Sequence, residues 1–364
     1  MEEQCQKTCL HGRHVALGAL MSPFAGFDMP IQYAGITEEH NAVRHEVGVF
    51  DVSHMGEVRV TGPDACKFVN HIFTNDITGA PDGQIYYGQM CFENGGTVDD
   101  LLVYKVGDEE YFLVINAANI DKDVDWIVRN AEGFDVRINH QSSEYGELAV
   151  QGPKAEEVLE KLLDLPLKDI AFYNFKTFEK DGEEIIVSRT GYTGEDGFEV
   201  YGSHDFTCRL WDKLMDAGVQ PCGLGCRDTL RFEVGLPLYG DELSDTITPL
   251  EAGLGIFVKL DKPEFIGKEA LAQQKAEGLK RRIVGLELEG NAIPRHGYPV
   301  EVNGEVVGEV TTGYRSISTG KSVAMAMVKK PFDKLGTEVE VRIRKKTFPA
   351  KVVKKRFYDK NYKK

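Results

Sequence analysis

The apolar positions in the first 250 residues follow two periods, one helical and one typical of strands. Spacings of three and four residues predict two amphipathic helices, whose apolar stripes are Ala65, Phe68, Val69 and Ile72, and Val124, Ile127 and Val128. Asn119 is the predicted cap of the second helix. Strand-like runs lie at 86–91 and 98–104, and a turn-rich segment joins them.

The predicted strands outnumber the helices and do not alternate with them regularly. This pattern favours an α+β fold with antiparallel sheets over a doubly wound parallel sheet. The run Val58-Arg-Val-Thr-Gly-Pro-Asp-Ala recurs loosely as Leu148-Ala-Val-Gln-Gly-Pro-Lys-Ala, and each predicts a strand, a Gly-Pro turn and a helix. We therefore expect two related α+β units, which begin near residues 53 and 142.

The last part of the chain shows only strand signals. Asn303-Gly304 stands between two apolar-rich runs, which is a strong signal for a two-residue hairpin. Val339, Val341 and Ile343 alternate with charged residues, as in a half-buried strand. Several short strands without a long helical pattern predict a small antiparallel barrel or sandwich.

The distribution of charge supports a separate C-terminal module. The chain has 43 basic and 58 acidic residues, a net charge of -15, but residues 280–364 hold 20 basic and 9 acidic ones. This segment therefore carries +11 against −26 for the rest of the chain. The negative overall charge disfavours a nucleic-acid-binding protein, because phosphates repel it.

Length and composition exclude other classes. A chain of 364 residues is too long for one ordinary core, so two or three domains are expected. We expect neither a membrane-spanning helix nor a secretory signal, because long apolar runs and a basic start are missing. The seven scattered cysteines are typical of reduced thiols, and no metal site is expected from them. Cys222 and Cys226 are interpreted as small apolar fillers.

Two adjacent carboxylates are the first candidate for chemistry. They close the segment Gly95-Gly-Thr-Val-Asp-Asp and enter an apolar strand. Because side chains alternate along a strand, Asp99 and Asp100 should point to opposite faces. A partly desolvated carboxylate suits a general base or the stabilisation of a cation. The alternative is a hairpin turn that solvates both acids.

Two glycine-rich segments are the other candidates. Ser188-Arg-Thr-Gly-Tyr-Thr-Gly-Glu-Asp-Gly-Phe-Glu offers Tyr192 for stacking and Glu199 on the following strand, although a plain hairpin loop remains open. Gly223-Leu-Gly-Cys-Arg-Asp leads into a helix on which Arg227 binds a carboxylate or pairs with acids at the surface. Further residues that could line a site are Tyr33, Tyr86, Tyr104 and Asn116.

Together these segments resemble the aminomethyltransferase, or T-protein, family of the glycine cleavage system. The resemblance covers nearly the whole chain and rests on the three segments above and on Phe50-Asp-Val-Ser-His-Met-Gly. Two positions depart from the family: Cys226 replaces the expected Ala, and Thr8-Cys-Leu stands in place of Thr-Pro-Leu.

The resemblance implies a three-domain cloverleaf with folate at its centre. The first, discontinuous α+β domain would comprise residues 1–52 and 142–245, and the inserted α+β domain residues 53–141. A linking segment, 246–279, would precede an antiparallel β-barrel of residues 280–364.

The resemblance also implies the reaction. An aminomethyl group on the lipoyl arm of a carrier, the H-protein, is transferred to the co-substrate tetrahydrofolate, and ammonia and 5,10-methylenetetrahydrofolate leave. Neither a metal nor a flavin is implied, because the folate carries the one-carbon chemistry. We expect a cytoplasmic enzyme that binds neither nucleic acid nor membranes, and whose basic C-terminal lysines steer an acidic carrier.

Residue roles follow from the matched motifs. Asp100 matches the catalytic acid, which takes up a proton and stabilises a developing iminium cation. Glu199 matches a carboxylate that binds the amino group and ring N–H of the pterin. Arg227 would hold either Asp100 or the benzoyl-glutamate part of the folate. The expected lining of the ring slot is Tyr192, Tyr104, Tyr86 and Asn116.

Other functions remain open. A folate-dependent demethylase of the same fold shares the folate-binding motifs, and a non-catalytic folate-binding protein is the alternative from a different class. The run Lys-Gly-Cys-Tyr-x-Gly-Gln-Glu of a related tRNA-maturation protein is absent. A flavin-fused amine dehydrogenase would need a dinucleotide-binding domain, and the chain has no such fingerprint.

Overall fold

The computed structural model describes residues 5–363. The first four residues, where no secretory signal is expected, and Lys364 of the basic C-terminus lie outside the described residues. Within 5–363 the structure is α+β, with two larger sheets, a two-stranded sheet and a closed barrel.

One sheet combines two separate stretches of the chain. The first stretch forms α1 (His11–Ala16), β1 (Leu20–Phe24), β2 (Phe27–Gln32), α2 (Ile36–His45) and β3 (Gly48–Asp51). The intervening stretch forms β4 (Gly56–Thr61), α3 (Ala65–Ile72), β5 (Ile85–Cys91), β6 (Thr97–Gly107), β7 (Glu110–Ile115), α4 (Ile120–Arg129) and β8 (Arg137–His140). The later stretch forms β9 (Gly146–Gln151), α5 (Ala155–Leu163), β10 (Phe175–Lys180), β11 (Glu183–Ser188), β12 (Gly197–Gly202), α6 (His204–Asp216), β13 (Gln220–Pro221) and α7 (Leu224–Glu233).

The six-stranded sheet has the order β10-β11-β12-β9-β3-β13. Its pairs are antiparallel except for the short parallel pair of β3 and β13. Because β3 precedes the intervening stretch and β9 follows it, the sheet joins both parts of the predicted discontinuous domain. The exact domain boundaries stay a prediction.

The five-stranded sheet, β5-β6-β7-β4-β8, is antiparallel throughout. The predicted stripe of α3 is buried, as expected, but Val128 of α4 is 53% exposed, so the second stripe is narrower than predicted. Asn119 stands at the N-cap position of α4 without capping it, because its side chain donates to Asp99 instead.

The repeated strand–turn–helix pattern is confirmed. β4 leads through Gly62 into α3, and β9 leads through Gly152 into α5. Both glycines have positive φ angles, +132° and +127°. A Cβ at Gly152 would lie 2.6 Å from the carbonyl oxygen of Glu46, so the turn requires glycine.

The C-terminal module is a closed barrel, as predicted. After α8 (Lys268–Glu277), the strands are β14 (Arg281–Leu288), β15 (Pro299–Val302), β16 (Glu305–Arg315), β17 (Ser322–Lys329), β18 (Glu338–Ile343) and β19 (Lys346–Val353), in the order β14-β17-β16-β15-β18-β19. Asn303 and Gly304, both with positive φ, form the predicted hairpin between β15 and β16. None of the helices within 5–363 is long and apolar enough to cross a membrane.

A candidate active site in a shared cavity

A cavity of about 1330 Å³ lies where both larger sheets, α7 and the barrel meet. Its volume is sufficient for a ligand with several rings. The five sequence-predicted residues that line it are Asp100, Asn116, Glu199, Tyr192 and Arg227. They come from β6, the end of β7, β12, the loop before β12 and α7, so the fold joins residues far apart in sequence.

Asp100 is held at the cavity wall by two donors. The Tyr87 hydroxyl donates to Oδ2 over 2.8 Å, and Asn116 Nδ2 donates to Oδ1 over 3.0 Å. Burial, followed by the charge of Asp99, raises the pKa of Asp100 to about 7. A carboxyl group with such a pKa exchanges protons near neutral pH, which suits acid–base chemistry.

Asp99 faces away from the cavity, as strand alternation predicts. Its side chain is fully buried and accepts from the backbone N–H of Asn116 (3.0 Å) and from Nδ2 of both Asn116 (2.9 Å) and Asn119 (2.8 Å). The Asn116 amide therefore connects the two carboxylates. Asp99 holds the end of β7, and Asp100 remains available to a ligand.

Glu199 lies on another wall of the same cavity. Its Oε2 accepts from the Thr190 hydroxyl over 2.6 Å. Burial raises the pKa of Glu199, while the Thr190 hydrogen bond and the positive charge of Arg227 lower it. Nothing in residues 5–363 donates to Oε1, so this oxygen is available to a ligand.

Arg227 is a cation that the described residues leave without an ion pair. Its guanidinium carbon lies 4.9 Å from the centre of the Tyr192 ring, and its Nη1 is buried without a hydrogen-bond partner. It contacts neither Asp100 nor an acid at the surface, so the pairing with Asp100 and the surface interpretation are both wrong. Tyr192 is itself fixed by its hydroxyl, which donates to the Pro237 carbonyl.

Arg231, one turn further along α7, has a different role. It is 1% exposed and donates to Asp228 over 2.7 Å and to Glu242 over 2.9 Å. The bond to Glu242 ties α7 to the segment before the barrel. The two arginines share a sequence pattern, but Arg231 is structural and Arg227 faces the cavity.

Tyr86 and Tyr104 do not line the cavity, contrary to expectation. Tyr86 points to the other face of β5 and donates to Gln84 over 2.9 Å, so its neighbour Tyr87 takes the place beside Asp100. The strand register, which the sequence does not reveal, decides between them. Tyr104 is fully buried behind the wall, where its hydroxyl bonds to Ser188 and Tyr201. Tyr33 lies elsewhere and bonds to His14.

Two further cavity residues were not singled out from the sequence. His54 is 3% exposed, and its Nδ1 has no hydrogen-bond partner among residues 5–363. Burial lowers its pKa to about 4, so it is neutral. Glu147 is 2% exposed, and burial together with the charge of Glu199 raises its pKa well above the usual value. The segment Phe50-Asp-Val-Ser-His-Met-Gly contains His54 and was the available signal.

The basic end of the chain closes one side of the cavity. The basic residues of this segment that line the cavity are Lys354, Lys355, Arg356 and Lys360, and Arg282 of β14 also lines it. The Tyr362 ring stacks on Phe172 at 4.3 Å, and the Asn361 N–H donates to the Gly194 carbonyl over 2.8 Å. Asn361 and Tyr362 are therefore held against the rest of the protein.

A buried group of possible metal ligands has another explanation. Glu39, Cys222 and Cys226 place ligand atoms within 4.8 Å of one another. The Glu39 carboxylate already accepts backbone N–H groups of Tyr33 (2.6 Å) and Gly223 (2.8 Å), so it fixes two turns. Both cysteines are buried, which agrees with their interpretation as fillers.

Family comparisons cover nearly the whole chain. The GCVT N-terminal domain model matches residues 10–262, and the model of the glycine cleavage T-protein C-terminal barrel domain matches residues 281–359. The segment between the two matches contains α8.

Individual relatives agree with these models. The sequence is 51% identical to the aminomethyltransferase of Caldanaerobacter subterraneus subsp. tengcongensis, with 100% of this chain and 98% of that protein covered. It is 50% identical to the aminomethyltransferase of Alkaliphilus oremlandii, with 99% and 100% covered. The crystal structure of glycine cleavage system aminomethyltransferase T from Bartonella henselae superposes with a TM-score of 0.94 at 32% identity and covers 99% of this chain.

Proposed function

The chain belongs to the glycine cleavage T-protein family, and from this we propose that it is the aminomethyltransferase of the glycine cleavage system. The donor is the aminomethyl group on the lipoyl arm of the H-protein, and the acceptor is tetrahydrofolate. Relatives that are about 50% identical over their full length are named aminomethyltransferases.

The reaction exchanges bonds at one carbon. The two folate nitrogens bond to the methylene carbon, while its bonds to the amino nitrogen and the lipoyl sulfur break. The two protons that leave the folate nitrogens end on ammonia and on the thiol of the arm. The site must therefore move protons and stabilise a transient iminium cation, and it needs no redox step.

Asp100 is the residue we assign to proton transfer. Its position at the cavity wall and its raised pKa allow it to accept a folate N–H proton near neutral pH. In its ionised form it stabilises the iminium electrostatically. Tyr87 and Asn116 hold the carboxyl group in place during both stages.

Glu199 and Arg227 are assigned to folate binding. The free Oε1 of Glu199 accepts from the pterin amino group or ring N–H. The unpaired Arg227 guanidinium suits an anionic part of the ligand, such as the glutamate carboxylates. The guanidinium lies over the Tyr192 ring, which helps to hold it in place. Asn116 contributes to the slot through its hold on Asp100.

One observation carries this proposal. A single cavity is lined by Asp100, by Glu199 with one free carboxylate oxygen, and by Arg227, which has no ion pair among residues 5–363. The test measures ammonia release from aminomethylated H-protein by the purified protein, with and without tetrahydrofolate. We expect ammonia and methylenetetrahydrofolate in equal amounts. Folate binding without ammonia release would favour a non-catalytic folate-binding protein, and turnover of an N-methylated amine instead would favour a demethylase.

A further inference from the structure

Four buried hydroxyl groups form a continuous chain that ends on the Glu199 carboxylate. They belong to Tyr201, Tyr104, Ser188 and Thr190, whose exposures lie between 0% and 3%. The Tyr201 and Tyr104 hydroxyls are 2.9 Å apart, and Tyr104 donates to Ser188 Oγ over 3.1 Å. Ser188 Oγ lies 2.7 Å from Thr190 Oγ1, which donates to Glu199 Oε2 over 2.6 Å.

The carboxylate determines the direction of every bond in the chain. The Thr190 hydroxyl donates its one proton to Glu199 Oε2. Thr190 Oγ1 is then free to accept from Ser188 over 2.7 Å, which is shorter than the 3.4 Å from Ser188 Oγ to the Glu199 carbonyl oxygen. Since Tyr104 donates its one proton to Ser188, Tyr201 must donate to Tyr104. All four O–H dipoles therefore point towards Glu199, and each bond polarises the next.

The chain engages only one side of the carboxylate. Oε2 is bonded to Thr190, whereas nothing in the described part of the protein donates to Oε1. Glu199, Thr190 and Tyr201 line the cavity, but Ser188 and Tyr104 do not. Ser188 and Tyr104 thus cannot contact a ligand in the cavity directly, and any effect on it passes through Glu199.

We propose that Tyr104 and Ser188 are positioning residues for folate, which act through Thr190 to hold the Glu199 carboxyl group with Oε1 turned to the pterin. The inference rests on the proposed role of Glu199 in folate binding. It assigns Tyr104 a function behind the cavity wall instead of in the ring slot.

The first test removes single hydroxyls and keeps the rings. Tyr104→Phe retains the edge-on packing against Phe112, whose ring centre is 5.7 Å away. We expect the Kd for tetrahydrofolate to rise about threefold to tenfold, as for one lost hydrogen bond in a network. The kcat at saturating folate should stay within about twofold, because Asp100 does not belong to this hydrogen-bonded series of hydroxyl groups. Tyr111→Phe is the matched control, since Tyr111 is fully buried and its hydroxyl has no hydrogen-bond partner in the described part of the protein.

The second test asks whether the hydroxyls act through Thr190. Thr190→Val should weaken folate binding more than Tyr104→Phe, because it removes the bond to Glu199 itself. In the Thr190→Val background, adding Tyr104→Phe should change the Kd by less than about twofold. Thr190→Ser keeps the hydroxyl and should restore most of the affinity.

Calorimetric titration of tetrahydrofolate decides the matter, with wild type and Glu199→Gln measured beside these variants. The proposal is overturned if Tyr104→Phe binds folate like Tyr111→Phe, if it lowers only the melting temperature, or if the two losses add fully. In each of these cases, weaker binding of tetrahydrofolate by Glu199→Gln would still support the proposed function. A wild-type protein that binds no tetrahydrofolate would overturn both.

Discussion

At the scale of single residues, environment separates side chains that the sequence makes look equivalent. Asp99 and Asp100 are neighbours, yet one is saturated by amide donors and the other faces the cavity. Arg227 and Arg231 lie one turn apart. Of these two arginines, Arg231 forms ion pairs with residues of the described range 5–363, and Arg227 does not. A site assignment must therefore rest on partners and exposure as well as on residue type.

Replacing Asp100 by Asn should lower turnover by about a hundredfold or more, because it removes a positioned proton acceptor. Folate binding should persist in this variant. Asp99→Asn is the comparison, and its kcat should fall much less. The measurement is the steady-state rate of ammonia release together with the Kd for tetrahydrofolate. Equal damage from both substitutions would reject the separate roles.

The pH dependence of kcat/KM should show an acid limb near the pKa of Asp100. This pKa is raised to about 7, so the ionised, proton-accepting form dominates above that pH and is lost below it. Asp99→Asn removes the neighbouring charge that helps to raise this pKa. The limb should therefore move to lower pH in Asp99→Asn, and a limb that stays in place would contradict the assignment.

Glu199→Gln should weaken binding of tetrahydrofolate by about 1–3 kcal/mol, because an amide donor would face a pterin donor. Titration calorimetry measures the change. Glu195→Gln is a useful control, since Glu195 is also buried but pairs with Arg44 outside the cavity. Unchanged folate affinity in Glu199→Gln would reject the pterin contact.

At the scale of elements, the sequence predicts most of what local pattern controls. The stripe of α3, the Asn303-Gly304 hairpin and the repeated Gly-Pro turns all agree with the structure. The features that the sequence does not predict depend on the pairing of strands that are far apart along the chain. The register of β5 against β6 places Tyr87 beside Asp100, and the pairing of β11 with β12 brings Ser188 behind Glu199. Local periodicity carries no information about either register.

Gly152→Ala tests the turn after β9. The positive φ and the carbonyl 2.6 Å from the added Cβ should lower the free energy of unfolding by about 1–3 kcal/mol. Denaturant unfolding measures this loss. Gly12→Ala is the control, because a Cβ there meets nothing within 4 Å and its loss of stability should be negligible. Equal stability of the two variants would contradict the steric argument.

At the scale of the whole molecule, charge and cavity are connected. The C-terminal module carries +11 against −26 elsewhere, and several of its cations stand at the cavity wall. Lys355 among them donates to the Ala252 carbonyl over 2.6 Å, and burial lowers its pKa to about 8. Lys355 is therefore part of the wall, and the exposed Lys354 and Arg356 are better suited to attract an acidic carrier.

Charge reversal of Lys354 and Arg356 to Glu should raise the KM for H-protein and flatten its dependence on salt. Long-range attraction is screened over about 10 Å at 0.1 M salt, so the effect should fade as salt increases. The kcat at saturating carrier should barely change. Reversal of Lys345 and Lys346, which are exposed at the β18–β19 hairpin and do not line the cavity, changes the charge equally. A KM that responds identically in both variants would attribute the effect to net charge alone.

The central claim is that this cavity transfers the aminomethyl carbon to folate with Asp100 as the proton acceptor. A single-turnover experiment with H-protein labelled at the aminomethyl carbon tests it most directly. In wild type, the label should appear in 5,10-methylenetetrahydrofolate as ammonia is released, and in Asp100→Asn it should remain on the lipoyl arm with folate bound. Label that reaches folate equally fast in Asp100→Asn, or that never reaches folate in wild type, would contradict the account.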